Sequence, residues 1–299
     1  MDESLEGKLR RLREIITSFS SVLVAYSGGV DSTFLAHQAY ILLGDRMKAV
    51  IVDSLLLPPR ELERAKAISA HAGFPLEIVE ADELDLPEFS SNPPHRCYVC
   101  KRYRLGILQD MAVREGWEAV LEGSNLDDAG THRPGRRASA ELGVSSPLEE
   151  AGLSKDEVRE LAREAGLPNW DAPSRPCLAT RFPYGMTLER GLIRKVDAAE
   201  EALEGLGLRQ VRVRLSGPAT ARIETGKDEL KAFDVQDNVE SAVKKLRDLG
   251  FQRIMLDLEG YRSGSMDESS PTGKYRTLYD GYEDARRAGV EEEDEDPLS

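Results

Sequence analysis

Cysteine is the scarcest reactive side chain in this chain of 299 residues, which holds three of them. Cys97 and Cys100 stand at C-x-x-C spacing in PPHRCYVCKRYR, and Cys177 lies far downstream in PSRPCLATRFPYG. Three thiols cannot all pair within one chain, which argues against a disulfide framework. Three readings remain open on the cysteines alone. They are unrelated buried thiols. They form a zinc site, which wants a fourth ligand from His95, His132 or an aspartate. Or they hold an iron–sulfur cluster by three thiolates, leaving one iron open to an exogenous hydrosulfide. A second reactive stretch is SGGVDST, Ser27 to Thr33. Gly28 and Gly29 let the backbone turn tightly and bring N–H groups onto a phosphate. Ser32 and Thr33 add hydroxyl donors at the start of a helix, whose N-terminus favours anions. The lysine of a Walker A loop, G-x-x-x-x-G-K-[ST], is missing.

The elements that must position these groups alternate in type. Residues 5–18 carry apolar positions at helical spacing. SVLVAY, MKAVIVDS, PLEIVEAD and EAVLEGSN read as buried strands. Between them the pattern predicts helices over 32–43, 59–72 and 102–115, the last beginning after a cysteine-bearing loop. Near-continuous apolar strands alternating with helices predict an α/β fold, a doubly wound parallel sheet. Ligands of such sheets bind at the carboxyl ends of the strands, where Ser27–Asp31, Asp53 and Gly123–Asp128 all fall. LSKDEVRELAREAG predicts a helix with Ser154 as N-cap and Glu157 completing a capping box. Beyond residue 186 the pattern changes to a helix over 187–206, strands QVRVRLS and TARIET, helical NVESAVKKLRDLG, and strand FQRIMLDLEG. This predicts a smaller α+β domain of antiparallel strands. The expected division is 1–185, 186–260 and an acidic tail, 261–299.

Net charge is −14 and apolar residues make up 40%. A dedicated nucleic-acid binder shows a basic face, so the charge argues against such a partner. No stretch approaches the ~18 apolar residues of a membrane span. The charged, amphipathic start MDESLEGKLRRLREIITSF lacks the features of a signal peptide. The cytoplasm, where thiols stay reduced, is the expected location. Part of the excess charge sits in EEEDED, Glu291 to Asp296, a run expected to be solvated.

S-G-G-x-D-S between a strand and a helix resembles the PP-loop of the N-type ATP pyrophosphatases. The resemblance implies that ATP is cut between its α and β phosphates and a substrate oxygen is adenylated. EGSNLDD fits as a supporting element. The resemblance places Gly123, Asn125 and Asp128 near the nucleotide. Asp127 and Asp128 are candidates for Mg²⁺, a hard cation suited to carboxylates and phosphates. Asp53 is a candidate adenosine contact.

Over most of the chain, from the PP-loop to about Gly260, the sequence resembles one family closely, the LarE-type sulfur-insertion enzymes. The segments that carry this are AYSGGVDSTFLA, GSNLDDAGTHRPGRRA, SPLEEAGLSKDEVRELAREAGLPNWDAPS, CLATRFPYG and VRVR with ARIE. The resemblance implies adenylation and sulfuration of pyridinium-3,5-biscarboxylic acid mononucleotide, on the way to the nickel-pincer cofactor of lactate racemase. Some relatives carry only the counterpart of Cys177 and sacrifice its sulfur. Others carry three cysteines and resemble recycling [4Fe–4S] enzymes, and Cys97, Cys100 and Cys177 place this chain with them. Asp31, Arg181 and Cys177 are the implied catalytic residues. The implied partners are a sulfide donor, a companion carboxylase, a nickel-insertion enzyme and further copies of the chain.

An anion with two carboxylates and a phosphate wants arginines. Arg212 and Arg214 alternate on VRVRL and so share one face. With Thr180 and Arg181 they are the implied contacts for the substrate. Glu200 and Glu224 are weaker candidates for the pocket and for a divalent cation. Thr131 stands where the family pattern has an acidic residue. A PP-loop tRNA thiolase, a non-catalytic nucleotide sensor and an amide-forming synthetase are the alternative readings. The charge, the intact loop with its cysteines, and the lack of a glutaminase segment argue against them in turn.

Overall fold

The computed structural model describes residues 4–129, 134–173 and 175–262. Thr131, His132 and nearly all of the expected acidic tail lie outside the described residues. The first half of the chain alternates as expected. Helix α1 (Leu5–Thr17) leads into β1 (Val22–Ala25), α2 (Val30–Leu43), β2 (Met47–Asp53), α3 (Pro59–Ala72) and β3 (Leu76–Glu80). A short helix α4 (Pro87–Ser90), the long α5 (Arg96–Glu115) and β4 (Ala119–Leu121) follow. Then come α6 (Leu126–Ala129), α7 (Pro134–Glu141), α8 (Pro147–Glu150) and α9 (Lys155–Glu164).

The four strands form one parallel sheet in the order β3-β2-β1-β4. Both faces are covered, because successive residues of a strand point to opposite sides. Val22 and Val24 of β1 and Ala49 and Ile51 of β2 pack with α1, α2, α3 and α9. Leu23, Val50, Val52 and Val120 pack on the other face against Leu105, Leu108 and Met111 of α5. The sheet is therefore doubly wound. From β1 the chain builds outward to β2 and β3, whereas β4 lies on the other side of β1. That reversal opens a crevice above the carboxyl ends of β1 and β4.

One expected boundary is wrong in a way that matters. Helix α5 begins at Arg96, six residues before the expected start, so Cys97 sits in its first turn and Cys100 at the start of its second, and not in a loop. Pro93 and Pro94 end just before it, and the charged, aromatic run that follows lacks apolar periodicity. The three-residue spacing of the cysteines puts both on one side of the helix.

The second half holds α10 (Arg190–Glu204), β5 (Val211–Leu215), β6 (Thr220–Thr225), α11 (Gln236–Asp248) and β7 (Arg253–Leu256). Its sheet has the order β5-β6-β7. The expectation of antiparallel strands holds for β5 with β6 and fails for β6 with β7, which are parallel. The reason is the connection: α11 carries the chain back along the sheet, so β7 starts from the same end as β6. The core of this sheet takes in Ile193 and Val196 of α10 and Val211 and Val213 of β5. It also takes in Leu56, Phe89, Val99, Leu178 and Phe182. Partly buried Cys100 and Cys177 pack at its edge. Among the described residues no helix is long and apolar enough to cross a membrane.

Candidate active site

The glycine loop leaves β1 and enters α2 with Gly29 at the N-cap. Gly28 has φ +74°, a left-handed conformation that glycine adopts without steric cost. The loop is braced from within. Ser27 N donates to Ser32 Oγ at 3.1 Å, and Ser32 and Thr33 hydroxyls donate to the Gly29 carbonyl at 3.1 and 2.9 Å. The N–H groups of the loop and of the first turn of α2 are thus set above the crevice, where helix polarity favours anionic oxygen. Gly123, just beyond β4, must come close to this turn. A Cβ there would lie 2.8 Å from Ser32 N and 3.0 Å from Ser32 Cα.

A cavity of about 420 Å³ runs from this loop to the cysteines. Ser27, Asp31, Ser32, Gly123 and Asp128 line one end, and Cys97, Cys100 and Cys177 line it as well. Asp31 pairs with Lys155, while its Oδ1 is buried without a hydrogen-bond partner. Lys155 opens α9 and carries no signal in the sequence, because a lysine after an N-cap serine reads as a solvated helix start. The aspartate pair divides its roles. Asp128 faces the cavity and accepts from Asn125 N at 3.2 Å, whereas Asp127 accepts from Lys155 N at 2.8 Å and caps α9. Asp53 lines a second cavity, of about 660 Å³, with Glu80, Asp82 and Arg194, and does not line the one beside the glycine loop.

The cysteines differ in environment. Cys97 is exposed, while Cys100 and Cys177 are half-buried. Burial pushes the Cys100 thiol up to about 12, against the opposing pull of Arg104. His95, a candidate fourth zinc ligand, lies 3.4 Å from Glu88 at the surface. Among the described residues no three of His, Cys, Asp and Glu are gathered closely enough to hold one metal ion. The three thiols share the wall of a cavity.

Behind Cys177 lies a set of buried charges. Arg181 grips Glu200 with two bonds, Nε to Oε1 at 2.7 Å and Nη2 to Oε2 at 2.9 Å. Its Nη1 donates to the carbonyls of Pro176 and Cys177 and to Thr180 Oγ1. Both residues are almost fully buried, and neither lines the cavity shared by the glycine loop and the cysteines. Arg181 and Glu200 thus shape the Cys177 loop in this structure and do not present themselves to a ligand. Burial favours the neutral form of Glu200, but the charge and hydrogen bonds of Arg181 outweigh it and hold the carboxyl below its ordinary range. Arg214 donates to Glu224 Oε2 at 2.9 Å and to the Thr180 carbonyl at 2.6 Å. Arg222 takes the other oxygen of Glu224. Both carboxylate oxygens of Glu224, a candidate divalent-cation ligand, are thus engaged by guanidiniums in this structure. Burial, and then the neighbouring Arg181, pull Arg212 down to about 10.

Further groups that the sequence did not flag hold the site together. Asn169 Nδ2 donates to the Gly28 carbonyl at 2.9 Å and to Thr33 Oγ1 at 3.0 Å. Glu122 accepts from Lys101 and from the hydroxyls of Ser124, Ser139 and Ser146, pinning the segment after β4. Apart from Ser124, their partners lie far away in sequence, and no local pattern marks them.

Comparison with known proteins agrees with this architecture. No family model matches the chain. It is 36% identical to the pyridinium-3,5-bisthiocarboxylic acid mononucleotide synthase of Lactiplantibacillus plantarum, over 92% of this chain and 99% of that protein. It is 41% identical to an uncharacterized protein of Synechocystis, over 88% of this chain and 98% of that one. It is 30% identical to one polypeptide of the glutamine-hydrolyzing GMP synthase of Pyrococcus furiosus, over 70% of this chain and 71% of that polypeptide. With a glycine loop at the switch point of a doubly wound sheet and likeness along nearly its whole length, the chain belongs to the LarE-type synthases, ATP-dependent sulfurtransferases of the adenylating PP-loop group.

Proposed function

We propose that this enzyme adenylates the carboxylates of pyridinium-3,5-biscarboxylic acid mononucleotide and converts them to thiocarboxylates, for the nickel-pincer cofactor of lactate racemase. The observation that carries the reading is the shared cavity: a phosphate-binding loop and all three cysteines line one space. Adenylation and sulfur delivery to a single carbonyl require that proximity.

The chain's own residues have the following roles. N–H groups around Gly28 and Gly29 and the first turn of α2 hold the triphosphate. Asp31 and Asp128 hold Mg²⁺. The buried, unpartnered Oδ1 of Asp31 supports this, since carboxylate and phosphate oxygens are the ligands this ion takes. Gly123 lets the chain after β4 approach the nucleotide. A substrate carboxylate oxygen attacks the α-phosphorus, and pyrophosphate leaves. A sulfur nucleophile at the cysteine end then attacks the carbonyl carbon, and AMP carries away the original oxygen. Arg212 and Arg214, with Thr180, are the assigned contacts for the substrate's anionic groups; like Arg181 the two arginines are nearly fully buried and stand outside the cavity lining, so a side chain there must shift to reach a ligand. The lowered Arg212 supports this, because a nearby anion would offset the cost of its buried charge.

Cys97, Cys100 and Cys177 hold a [4Fe–4S] cluster in this reading. Three soft thiols around one cavity fit that group. When bound, such a cluster supplies an iron with a position open to exogenous sulfide. The test is anaerobic reconstitution with iron and sulfide, on the wild type and on Cys97→Ala. About four irons per chain, lost in the variant, is the expected result. Absence of a cluster, with one sulfur lost from Cys177 per turnover, would establish sacrificial transfer instead.

A further inference from the structure

A buried acid–base pair beside the cysteines has no part in the chemistry above. Glu83 lies on a short turn after β3 and is fully buried. Its Oε1 accepts from Arg104 Nε, and its Oε2 has no hydrogen-bond partner. The Cys100 sulfur lies 4.0 Å from the same Oε1. Arg104 is half-buried, lines the cavity together with the three cysteines, and donates from Nη2 to Ser54 Oγ at 2.8 Å. Two partners on different elements therefore fix this guanidinium at the thiol end of the cavity.

A carboxylate with no exposure is costly and persists only with a compensating charge. Glu83 supplies that compensation for Arg104 and receives it in turn. With the cysteines protonated the group is neutral. The balance changes once the thiols bind iron. A four-iron core in its usual oxidised state, held by three thiolates, carries about one net negative charge, and a bound anionic sulfur adds another. In a half-buried cavity that charge needs a fixed cation nearby, and Coulomb attraction there is stronger than in water.

We propose that Arg104 is the internal counter-ion of the three-cysteine site and that Glu83 is the residue that positions it and moderates its charge. The inference rests on the reading that the cysteines hold an iron–sulfur cluster. It assigns Arg104 and Glu83 to electrostatic control of that cluster and not to substrate contact.

Opposite charges give opposite signs, which a merely structural pair would not. The experiment is a dye-mediated reductive titration with dithionite on the anaerobically reconstituted full-length protein, followed by electron paramagnetic resonance. Arg104→Gln removes a cation, so the reduced, more negative cluster is less favoured and the potential shifts downward. Glu83→Gln removes an anion and shifts it upward. The double variant falls between them, and Arg104→Lys stays closer to wild type than Arg104→Gln. Shifts of the same sign, or none in either single variant, would overturn the proposal. If a variant does not retain enough cluster to titrate, iron per chain decides. Arg104→Gln should lose more than Glu83→Gln, and equal loss contradicts the proposal. A wild type that takes up no cluster refutes the cluster reading and this inference with it. A wild-type cluster indifferent to both charges refutes only the inference.

Discussion

Asn169 reaches across from the loop that leads to Cys177 and donates to the carbonyl of Gly28 at 2.9 Å. The same Nδ2 donates to Thr33 Oγ1, so one amide ties the sulfur-bearing loop to both ends of the phosphate loop. Removing it in Asn169→Ala strips a donor from two acceptors in a nearly closed site, a loss of about 1–2 kcal/mol. We expect the KM for ATP to rise by about 5- to 30-fold, with the circular dichroism spectrum unchanged. An unaltered KM would mean that the phosphate loop holds its shape alone.

The Arg181–Glu200 pair makes a stability prediction with a defined pH dependence. Breaking it by Arg181→Met leaves a buried, unpaired carboxylate and should cost about 3–5 kcal/mol in urea unfolding at neutral pH. The folded-state pKa of Glu200 is depressed, so the pair's contribution is complete above the unfolded value of about 4.3. It is lost as pH falls through the lower folded value. The stability gap between wild type and Arg181→Met should therefore narrow on acidification. A gap that stays constant to low pH would show that Glu200 is not ionised in the fold.

Thiol reactivity should separate the two cysteines of α5. Cys97 is exposed, whereas burial pushes Cys100 up to about 12. In metal-free protein at about pH 8, iodoacetamide should label Cys97 at least ~100-fold faster than Cys100, since only the thiolate reacts. Peptide mass mapping over a time course reads this directly. Equal rates would place Cys100 outside the buried environment described above.

Gly123 is a steric prediction. The methyl group of Gly123→Ala has backbone of Ser32 at 2.8 Å, and backbone cannot swing aside as a side chain does. We expect a loss of about 1–3 kcal/mol in stability together with weaker ATP binding. Normal nucleotide affinity in this variant would show that β4 and α2 can separate without harm to the site.

The doubly wound sheet was legible because its strands are short, largely apolar runs alternating with helical patterns, and α9 because Ser154 and Glu157 form a capping box. The phosphate loop was legible as a contiguous motif. The start of α5 was not, because the stretch around Cys97 and Cys100 is mostly charged and aromatic, offers one aliphatic residue, Val99, before Leu105, and follows two prolines. Nor was the parallel return of β7, which depends on the path of α11 and not on the pattern within the strand. The partners of the charged residues were the least visible. Glu224 beside Arg214 and Arg222, Lys155 beside Asp31, and Glu83 beside Arg104 are each decided by tertiary contact. A charged side chain in sequence carries no mark of whether it will meet a ligand or another part of the same chain.

The most direct test of the account is pyrophosphate release. Reconstituted protein would be given MgATP and sulfide, with and without pyridinium-3,5-biscarboxylic acid mononucleotide, and the nucleotide product followed by mass spectrometry. Pyrophosphate and AMP are expected only when the mononucleotide is present, with exchange of carboxylate oxygen for sulfur in the product. Pyrophosphate release that ignores the mononucleotide, or a product that retains all its oxygens, would contradict it.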